Sequence, residues 1–297
     1  MKVAVTGPCG FIGRHVLAEI ARRPIDVVAM VQNTAQLNQI GPAIKSVVVD
    51  IETPPSDAFD VLGRPDVLIH LAWGGLPNYR SLHHIESELP HQYSFLAGLI
   101  KAGLSAMVVT GTCFEYGMQS GPLSETLLTQ PNNPYGYAKD ALRRQLEFLR
   151  NFHPFALTWA RLFYMFGEGQ AENSLLPQLR KAMERGDSSF NMSGGEQLRD
   201  FLSVSDVAAT LVALALRRAD IGIVNVCSGK PISVRTLVEG WIREYGWTIN
   251  LNLGHYPYPD YEPMAFWGDS SKLLTCLSQL WTAEKEANNE SKNKASD

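Results

Sequence analysis

An α/β fold built on a doubly wound parallel sheet is what the sequence predicts, on three observations. Short apolar segments recur through the first half of the chain, helical stretches separate several of them, and most lack the polar alternation of half-exposed strands. Strands of a parallel sheet are covered on both faces, so they read as continuous apolar runs. Repeated strand–helix–strand units with right-handed crossovers then build a doubly wound sheet.

The first predicted strand covers residues 2–6, and a helical run with one apolar side follows at 11–22. Further buried strands are predicted at 27–31, 46–49, 67–71, 107–110 and 155–159. After about residue 160 the pattern loosens into helices near 175–185, 206–217 and 234–245. We therefore expect a sheet domain at 1–160, a smaller C-terminal lobe at 161–281 interleaved with it, and a disordered polar tail at 282–297.

Composition argues against several kinds of partner. The 297 residues are 45% apolar and 19% charged, and the net charge of −4 comes without the dense Lys/Arg stripe that nucleic-acid binding needs. The four cysteines are far apart and form no CxxC pair, so neither a metal site nor a disulfide framework is expected. No signal peptide and no apolar run of about 18 residues is evident, which predicts a cytoplasmic protein without membrane contact.

A glycine-rich turn, GPCGFIG at residues 7–13, follows the first strand and opens the first helix. Gly7 allows the tight turn, Gly10 lets the backbone approach a pyrophosphate, and Gly13 permits close helix packing. The helix N-terminus adds free N–H groups and a partial positive charge. The turn could belong to any α/β protein, but its place directly after the first strand favours dinucleotide binding by a Rossmann-type domain.

The choice between NAD and NADP depends on the end of the second strand. NAD-preferring sites place Asp or Glu there to bind the ribose 2′-hydroxyl. Here the strand ends in Gln32 and Asn33, and Asp26 lies at its other end. Since an amide does not repel a 2′-phosphate, NADP(H) is the predicted cofactor, with NAD(H) possible. Arg14 is the nearest cation for that phosphate, and Gln32 and Asn33 could equally be plain loop residues.

Tyr135 and Lys139 lie at the start of a strong helical run at 134–152 and, four residues apart, share one helix face. A neighbouring ammonium favours the phenolate, so we expect Lys139 to pull the pKa of Tyr135 down from about 10. The pair could then exchange a proton with a substrate oxygen. Tyr137, about 200° round the helix, should not substitute.

These segments together resemble the extended short-chain dehydrogenase/reductase family, which includes sugar-nucleotide epimerases, dehydratases and ketoreductases. The turn has its GxxGxxG spacing, residues 50–51 resemble its acidic-aliphatic pair beside the adenine, and HLA at 70–72 resembles its HxAA segment, with Trp73 in place of the second Ala. RDFLSVSDVA at 199–208 is similar to another family segment. The resemblance implies cofactor contacts from Gly7, Gly10, Phe11, Ile12, Gln32, Asp50, Ile51, Leu71, Ala72, Tyr135 and Lys139.

The tyrosine–lysine pair matches the family's active-site YxxxK, and VVTGTCFEYG at 108–117 is similar to its strand and turn. That match assigns Thr112 the hydrogen bond to the substrate oxygen. Thr110 is the competitor and is placed in the strand as a packing residue. Cys113, beside the substrate, is either a reactive thiol or, more commonly, a small buried side chain. Glu115 is expected to order the loop rather than to act as an acid.

The substrate end is expected in the second half of the chain. Tyr164 stands where the family usually has Asn, and Asn173 lies where it holds the nucleotide diphosphate. Arg199 could pair with that diphosphate, because a guanidinium fork suits two phosphate oxygens, or it could form an ion pair with Asp200 or Asp206. An aromatic-rich loop, with Tyr256, Tyr258, Tyr261 and Trp267, either walls the sugar or base or packs the lobe.

The resemblance implies an enzyme most like the nucleoside-diphosphate 4-keto-6-deoxyhexose 4-reductases of deoxysugar and surface-polysaccharide biosynthesis, with dTDP as the expected carrier. Tyr135 would give the proton, Thr112 a hydrogen bond and Lys139 the electrostatic bias. A 4-epimerase and a non-catalytic NADP-binding sensor are the alternatives, although a sensor needs no complete catalytic set. Dehydration is not expected, because Cys113 and Phe114 replace the dehydratases' Asp and Glu. A homodimer through helices near 86–101 and 135–150 is also implied.

Overall fold

Seven parallel strands form the central sheet of the computed structural model, which describes residues 1–278. In spatial order they are β11 (Gly222–Val226), β7 (Ala156–Leu162), β5 (Ala106–Thr112), β4 (Val67–His70), β1 (Lys2–Thr6), β2 (Asp26–Val31) and β3 (Lys45–Val48). The chain runs outward from β1 in both directions, which is the doubly wound order of a Rossmann-type sheet. The fold class predicted from the sequence is therefore confirmed.

Helices cover both faces of this sheet, which explains why its strands lack polar alternation. On one face α1 (Phe11–Ile20) and α6 (Val204–Arg217) bury Val16, Leu17 and Leu211 against Val3 and Val5. On the other face α2 (Ala58–Val61), α3 (Leu89–Lys101) and α4 (Pro134–Arg150) pack against alternate strand residues. Side chains along a strand point alternately to the two faces, so every strand of the sheet except the edge strand β3 contributes to both apolar cores.

The lobe over the carboxyl edge of the sheet is built from short elements. A three-stranded sheet joins β8 (Tyr164–Phe166), β10 (Leu198–Ser203) and β12 (Pro231–Ser233). Two pairs join β9 (Ser189–Asn191) to β13 (Asn250–Asn252) and β6 (Gly121–Leu123) to β14 (Phe266–Gly268). The helices α5 (Leu175–Glu184) and α7 (Val234–Glu244) bury Leu179, Val238 and Trp241 around Phe190 in a separate core.

The lobe and the sheet domain interleave along the chain. The boundary expected at residue 160 falls inside β7, and β11 and α6 return from the second half of the chain to the central sheet. The tail predicted at 282–297 lies outside the described residues. Within residues 1–278, no helix has the length and apolar character that crossing a membrane requires.

Candidate active site

Two adjoining cavities open at the carboxyl edge of the central sheet, with volumes of about 260 and 420 Å³. Gln32, Asp50 and Ile51 line the smaller one, called the β2-side cavity, and Thr112, Tyr135 and Lys139 line the larger one, called the β5-side cavity. Both are lined by Gly7, Gly10 and Trp73, so they form one continuous groove. This edge is where ligands bind in doubly wound sheets.

The glycine turn has the geometry that a dinucleotide pyrophosphate requires. Gly7 adopts a φ of +64°, which favours glycine, and a Cβ on Gly13 would lie only 2.1 Å from the Gly7 carbonyl oxygen. A Cβ on Gly10 would meet only that oxygen, at 3.3 Å, so the backbone there faces open space. The N–H groups that begin α1, beside Phe11 and Ile12, are directed to the same place, and the turn therefore fits the cofactor.

A buried network fixes the segment that forms the floor of the groove. The Thr6 hydroxyl accepts hydrogen bonds from the backbone N–H groups of Leu71 (3.0 Å) and Ala72 (3.2 Å). Its own proton goes to His70 Nδ1 at 3.0 Å, which leaves Nε2–H to donate to Gln92 Oε1 at 2.8 Å. Burial, with the nearby Lys ammonium, lowers the pKa of His70 to about 3, so this histidine is a neutral scaffold.

The end of β2 carries no cation that would recognise a 2′-phosphate. Asn33 caps a 3₁₀ turn at Thr34–Gln39, and the backbone N–H of Gln32 donates to Gln36 Oε1 at 2.9 Å. Arg14 turns away to donate to the carbonyls of Cys9 and Gly10. Of the described residues that line the β2-side cavity, none is Lys or Arg and three are acidic: Asp50, Glu52 and Glu88. The NADP preference predicted from the sequence is therefore not supported.

The start of α4 presents the tyrosine and the lysine to the β5-side cavity. The Asn133 side chain accepts a hydrogen bond from the N–H of Gly136 at 2.8 Å, and Pro134 begins the helix. Tyr135 is 9% exposed, whereas Tyr137 is 51% exposed on the outer side. The spacing argument thus chose the tyrosine that lines the cavity.

The pKa of Tyr135 moves in the direction opposite to the one predicted. Its ring is enclosed by the rings of Tyr79, His84, Phe114 and Trp73, with centroids 5.3 to 6.4 Å away. Burial raises the pKa of Tyr135 above its usual value, and only a hydrogen bond with the Thr112 hydroxyl acts the other way. Desolvation of the phenolate outweighs any neighbouring positive charge, so the free site holds a neutral phenol.

Lys139 is buried and held by the backbone of β5. Its Nζ donates a 2.8 Å hydrogen bond to the carbonyl oxygen of Thr110 and lies 6.0 Å from the ring centroid of Tyr135. Burial lowers the pKa of Lys139 to about 7, against the opposing effect of the carboxylates of Glu115 and Glu88. The ammonium is therefore poised to titrate near neutral pH.

Thr112 ends β5, which extends two residues beyond its predicted limit. Its side chain caps the turn that follows by accepting from Phe114 N, and its backbone N–H donates to Glu115 Oε1 at 2.9 Å. Glu115 is fully buried and also accepts from Trp159 Nε1 at 2.9 Å and from Arg161 Nε at 2.6 Å. Glu115 thus orders the loop, as predicted. Thr110, the competitor, donates its hydroxyl proton to the His70 carbonyl.

The contacts of Arg199, a predicted substrate-binding residue, differ from those expected. This residue is 3% exposed and pairs with Glu262 at 3.4 Å, neither with Asp200 nor with Asp206. Its guanidinium also donates to the carbonyls of Leu198 and Met264. The diphosphate pairing expected for Arg199 would have to compete with all these partners. Asp200 is occupied elsewhere, accepting from the backbone of residues 228 and 229.

Of the three other predicted substrate residues, two line the β5-side cavity and one does not. Tyr164 lines the β5-side cavity, and its hydroxyl donates to the Glu262 carboxylate; burial and that carboxylate raise its pKa. Cys113 also lines the cavity, and burial raises its pKa, so it is a neutral thiol. Asn173 is exposed and does not line the cavity, whereas its neighbour Ser174 does. Within residues 1–278, no cluster of His, Cys, Asp and Glu could hold a metal ion.

Two aromatic residues of the site were missed at the sequence level. Trp73 lines both cavities, and its only sequence signal was the departure from HxAA. Tyr79 lines the β5-side cavity, and its ring packs 4.9 Å from Phe114 and 5.6 Å from Tyr135. No motif marks Tyr79, because it comes from a loop after β4. In the predicted aromatic loop, the ring of Tyr261 packs near that of Phe114, with the two centroids 6.3 Å apart.

A family model for the NAD-dependent epimerase/dehydratase family matches residues 3–227, which is most of the chain. The chain belongs to this family. Membership agrees with the extended short-chain dehydrogenase/reductase resemblance stated from the glycine turn, the HLA segment and YxxxK. It also agrees with the Rossmann-type sheet and with the groove at its carboxyl edge.

Individual relatives cover nearly the whole chain. It is 30% identical, over 90% of its length and 99% of the relative's, to dTDP-6-deoxy-L-talose 4-dehydrogenase (NAD(+)) of Aggregatibacter actinomycetemcomitans. A GDP-6-deoxy-D-talose 4-dehydrogenase of the same organism is 27% identical over 93% of this chain and 91% of its own. Among solved structures, MoeE5 in complex with UDP-glucose and NAD is similar with a TM-score of 0.78 and 27% identity, covering 94% of this chain and 92% of that one.

Proposed function

We propose that this protein is an oxidoreductase acting at C4 of a nucleoside-diphosphate 6-deoxyhexose, interconverting the 4-ketone and the 4-hydroxyl. The observation that carries this proposal is that Thr112, Tyr135 and Lys139 line one cavity that is continuous with the glycine turn. The two dehydrogenase relatives act, by name, on 4-positions of nucleotide-linked 6-deoxysugars, which supports the substrate class. A dTDP carrier is favoured by the more similar of them.

The groove at the glycine turn would hold a nicotinamide dinucleotide, which would supply the hydride for C4 or accept it. The residues of this chain manage the proton and the charge. Tyr135, kept neutral by burial, gives its proton to the C4 oxygen in the reducing direction. Thr112 donates a hydrogen bond to the same oxygen. The ammonium of Lys139 stabilises the phenolate that Tyr135 becomes, because a buried opposite charge favours the ionised form.

The reducing direction is the one that we propose for the cell, as the sequence predicted. Oxidation and reduction at C4 use the same groups in reverse order, so a relative named as a 4-dehydrogenase has the chemistry of a 4-ketoreductase. Burial keeps Tyr135 protonated, which is the state in which the general acid must begin the reducing reaction. In the oxidising direction the same phenol would first have to lose its proton at a cost set by its burial.

NAD(H) is the cofactor that we propose, in place of the NADP(H) preference predicted from the sequence. The acidic lining of the β2-side cavity would repel a 2′-phosphate, and none of the described lining residues could pair with it. The names of the dehydrogenase relative and of the solved complex both specify NAD.

The lobe that contains β8, β10, β12, α5 and α7 is proposed to hold the sugar nucleotide against this site, with Tyr164 and Ser174 at the cavity wall. We also propose a homodimer through α3 and α4. The exposed rings of Phe148 and Phe152, at 69% and 80%, are carried by the end of α4 and the residues after it, and burial in a partner would remove that apolar surface from water. Light scattering of the purified protein gives the mass directly, and a monomer would contradict the dimer.

Two other functions make different demands on the cofactor. The family's name includes epimerases. One acting at C4 would return the hydride to the opposite face and consume no cofactor overall. A nucleotide sensor would bind the cofactor without any turnover. The test is to mix the protein with dTDP-4-keto-6-deoxyglucose and NADH and to count oxidised cofactor against product. One-to-one consumption supports the reductase. The epimerase needs a second assay with a saturated sugar nucleotide, because a 4-ketone has no configuration at C4 to invert. Conversion of the saturated sugar to its 4-epimer with no cofactor consumed identifies the epimerase, and no reaction in either assay favours the sensor.

A further inference from the structure

The ring of Trp73 lies directly under the buried ammonium in the active site. Lys139 Nζ is 4.0 Å from the Trp73 ring centroid, well inside the range of a cation–π contact. We propose that Trp73, held in place by His84, is a positioning residue that fixes the Lys139 ammonium beside Tyr135. The proposal rests on the proposed function only for its kinetic consequences, because the contact itself is a property of the free protein.

The surroundings of Lys139 explain why it needs such support. Its side chain is 2% exposed, and one hydrogen bond, to the Thr110 carbonyl, is made by its Nζ in the described structure. An ammonium has three donors, so the Trp73 face takes a second direction and the third is left for the cavity that both residues line. With the family's Ala at position 73, the ammonium would lose the π-face whose centroid lies 4.0 Å from it.

Trp73 is itself fixed through its indole nitrogen. Its Nε1–H donates to His84 Nδ1 at 3.1 Å, and the two rings stack with an interplanar angle of 29°. His84 Nε2–H then donates to the Asn78 carbonyl at 2.9 Å, so both ring nitrogens are engaged and the imidazole is neutral. Burial lowers the pKa of His84, which preserves this arrangement. The rings of Trp73 and Tyr135 also pack edge to face, with their centroids 6.1 Å apart and an interplanar angle of 71°.

The competing role for Trp73 is that of a plain cavity wall. Replacing a wall residue would change the affinity for nucleotide and leave the pKa of Lys139 unchanged. A positioning residue changes the lysine itself, so the pKa of Lys139 separates the two roles. The titratable groups that face the ammonium, and that must be allowed for, are Glu88, Glu115, His70, His84 and Tyr135.

The test is a ¹³C NMR titration of the full-length chain labelled at lysine Cε, without added nucleotide, with the signal assigned by Lys139→Met. Wild-type Lys139 should titrate near pH 7. Trp73→Leu keeps the site filled and apolar but removes the π-face that favours the ammonium, so the pKa should fall by about one unit. Trp73→Phe, which keeps an aromatic face, should shift it less. An unchanged or raised pKa in Trp73→Leu would overturn the proposal.

His84 gives a second, independent arm in case Trp73→Leu does not fold. His84→Leu frees the indole and should lower the pKa of Lys139 in the same direction, whereas His84→Gln, which can still accept from Trp73 Nε1–H, should restore it. If His84→Gln did not restore the pKa of Lys139, the proposed role of His84 in holding Trp73 would be contradicted. Trp247→Leu is the matched control, since Trp247 stacks on Tyr245 in the lobe.

Measuring kcat shows what the loss of Trp73 does to catalysis. Trp73→Leu should lower kcat about tenfold when Lys139 is present and less than about twofold in a Lys139→Met background, because coupled residues are not additive. Equal losses in both backgrounds would show that Trp73 acts without Lys139. A protein that shows the NMR shifts but no turnover would refute the proposed function and leave the Trp73–Lys139 contact supported.

Discussion

Lys139 Nζ donates a 2.8 Å hydrogen bond to the carbonyl oxygen of Thr110, and this contact ties the first turns of α4 to β5. Thr112 lies two residues further along the same strand, so its side chain points to the same face as that of Thr110. The helix and the strand thereby bring the phenol, the ammonium and the threonine hydroxyl to one cavity.

Replacing Tyr135 with Phe removes the proton donor and almost no packing. We expect kcat to fall by about 10² to 10⁴ with little change in NADH binding, because one general acid contributes on that scale. Steady-state assays and a nucleotide titration measure the two effects. Tyr137→Phe is the control, since its ring is 51% exposed, and it should retain wild-type activity. The opposite pattern would mean that the other tyrosine is catalytic.

Replacing Lys139 with Met should make stability less dependent on pH. The pKa of Lys139 is about 7 in the folded protein and about 10.4 when unfolded, so the unfolded chain binds more protons between those values and wild-type stability rises with pH there. The stability of the variant relative to wild type should therefore decrease by about 3 kcal/mol from pH 7 to pH 10. Urea unfolding at several pH values measures this, and a constant difference would contradict the lowered pKa.

The pattern of strands and helices was predictable because apolar runs and a glycine turn are local features. That Tyr135 and Lys139 share one helix face was likewise predictable from the 3.6-residue helical period. The direction of the Tyr135 pKa shift was not predictable, because the ring of Tyr79 that helps to bury it comes from a loop without a motif. Likewise Arg199 was predicted to bind the diphosphate, with Asp200 or Asp206 as alternative partners, whereas its ion-pair partner is Glu262, which is far along the chain.

Introducing Arg at Gln32 should change the choice of cofactor. Gln32 lines the β2-side cavity and is exposed, so a guanidinium there could pair with a 2′-phosphate. We expect the ratio of kcat/KM for NADPH to that for NADH to rise by about tenfold or more, as a charge-assisted hydrogen bond implies. Wild-type protein should prefer NADH. A wild type that prefers NADPH would restore the prediction made from the sequence.

Glu115→Gln tests whether the loop after β5 depends on one buried carboxylate. Glu115 and Arg161 are 0% and 1% exposed, with Oε2 and Nε 2.6 Å apart. Gln would leave a buried guanidinium without its counter-charge, which costs about 3 to 5 kcal/mol. Urea unfolding should show that loss, and the activity of the folded fraction should fall as well, because the capping hydrogen bonds that hold Thr112 weaken.

The matched control is Glu239→Gln, which breaks an ion pair with Arg235 on α7. The side chains of Glu239 and Arg235 are 37% and 52% exposed. Exposed pairs are screened by water and contribute about 0 to 1 kcal/mol, so this variant should unfold almost like wild type. If the two Gln variants lost equal stability, burial would not explain the strength of the Glu115–Arg161 pair. If Glu115→Gln kept full stability but lost turnover, the carboxylate would act in the chemistry rather than in holding the loop.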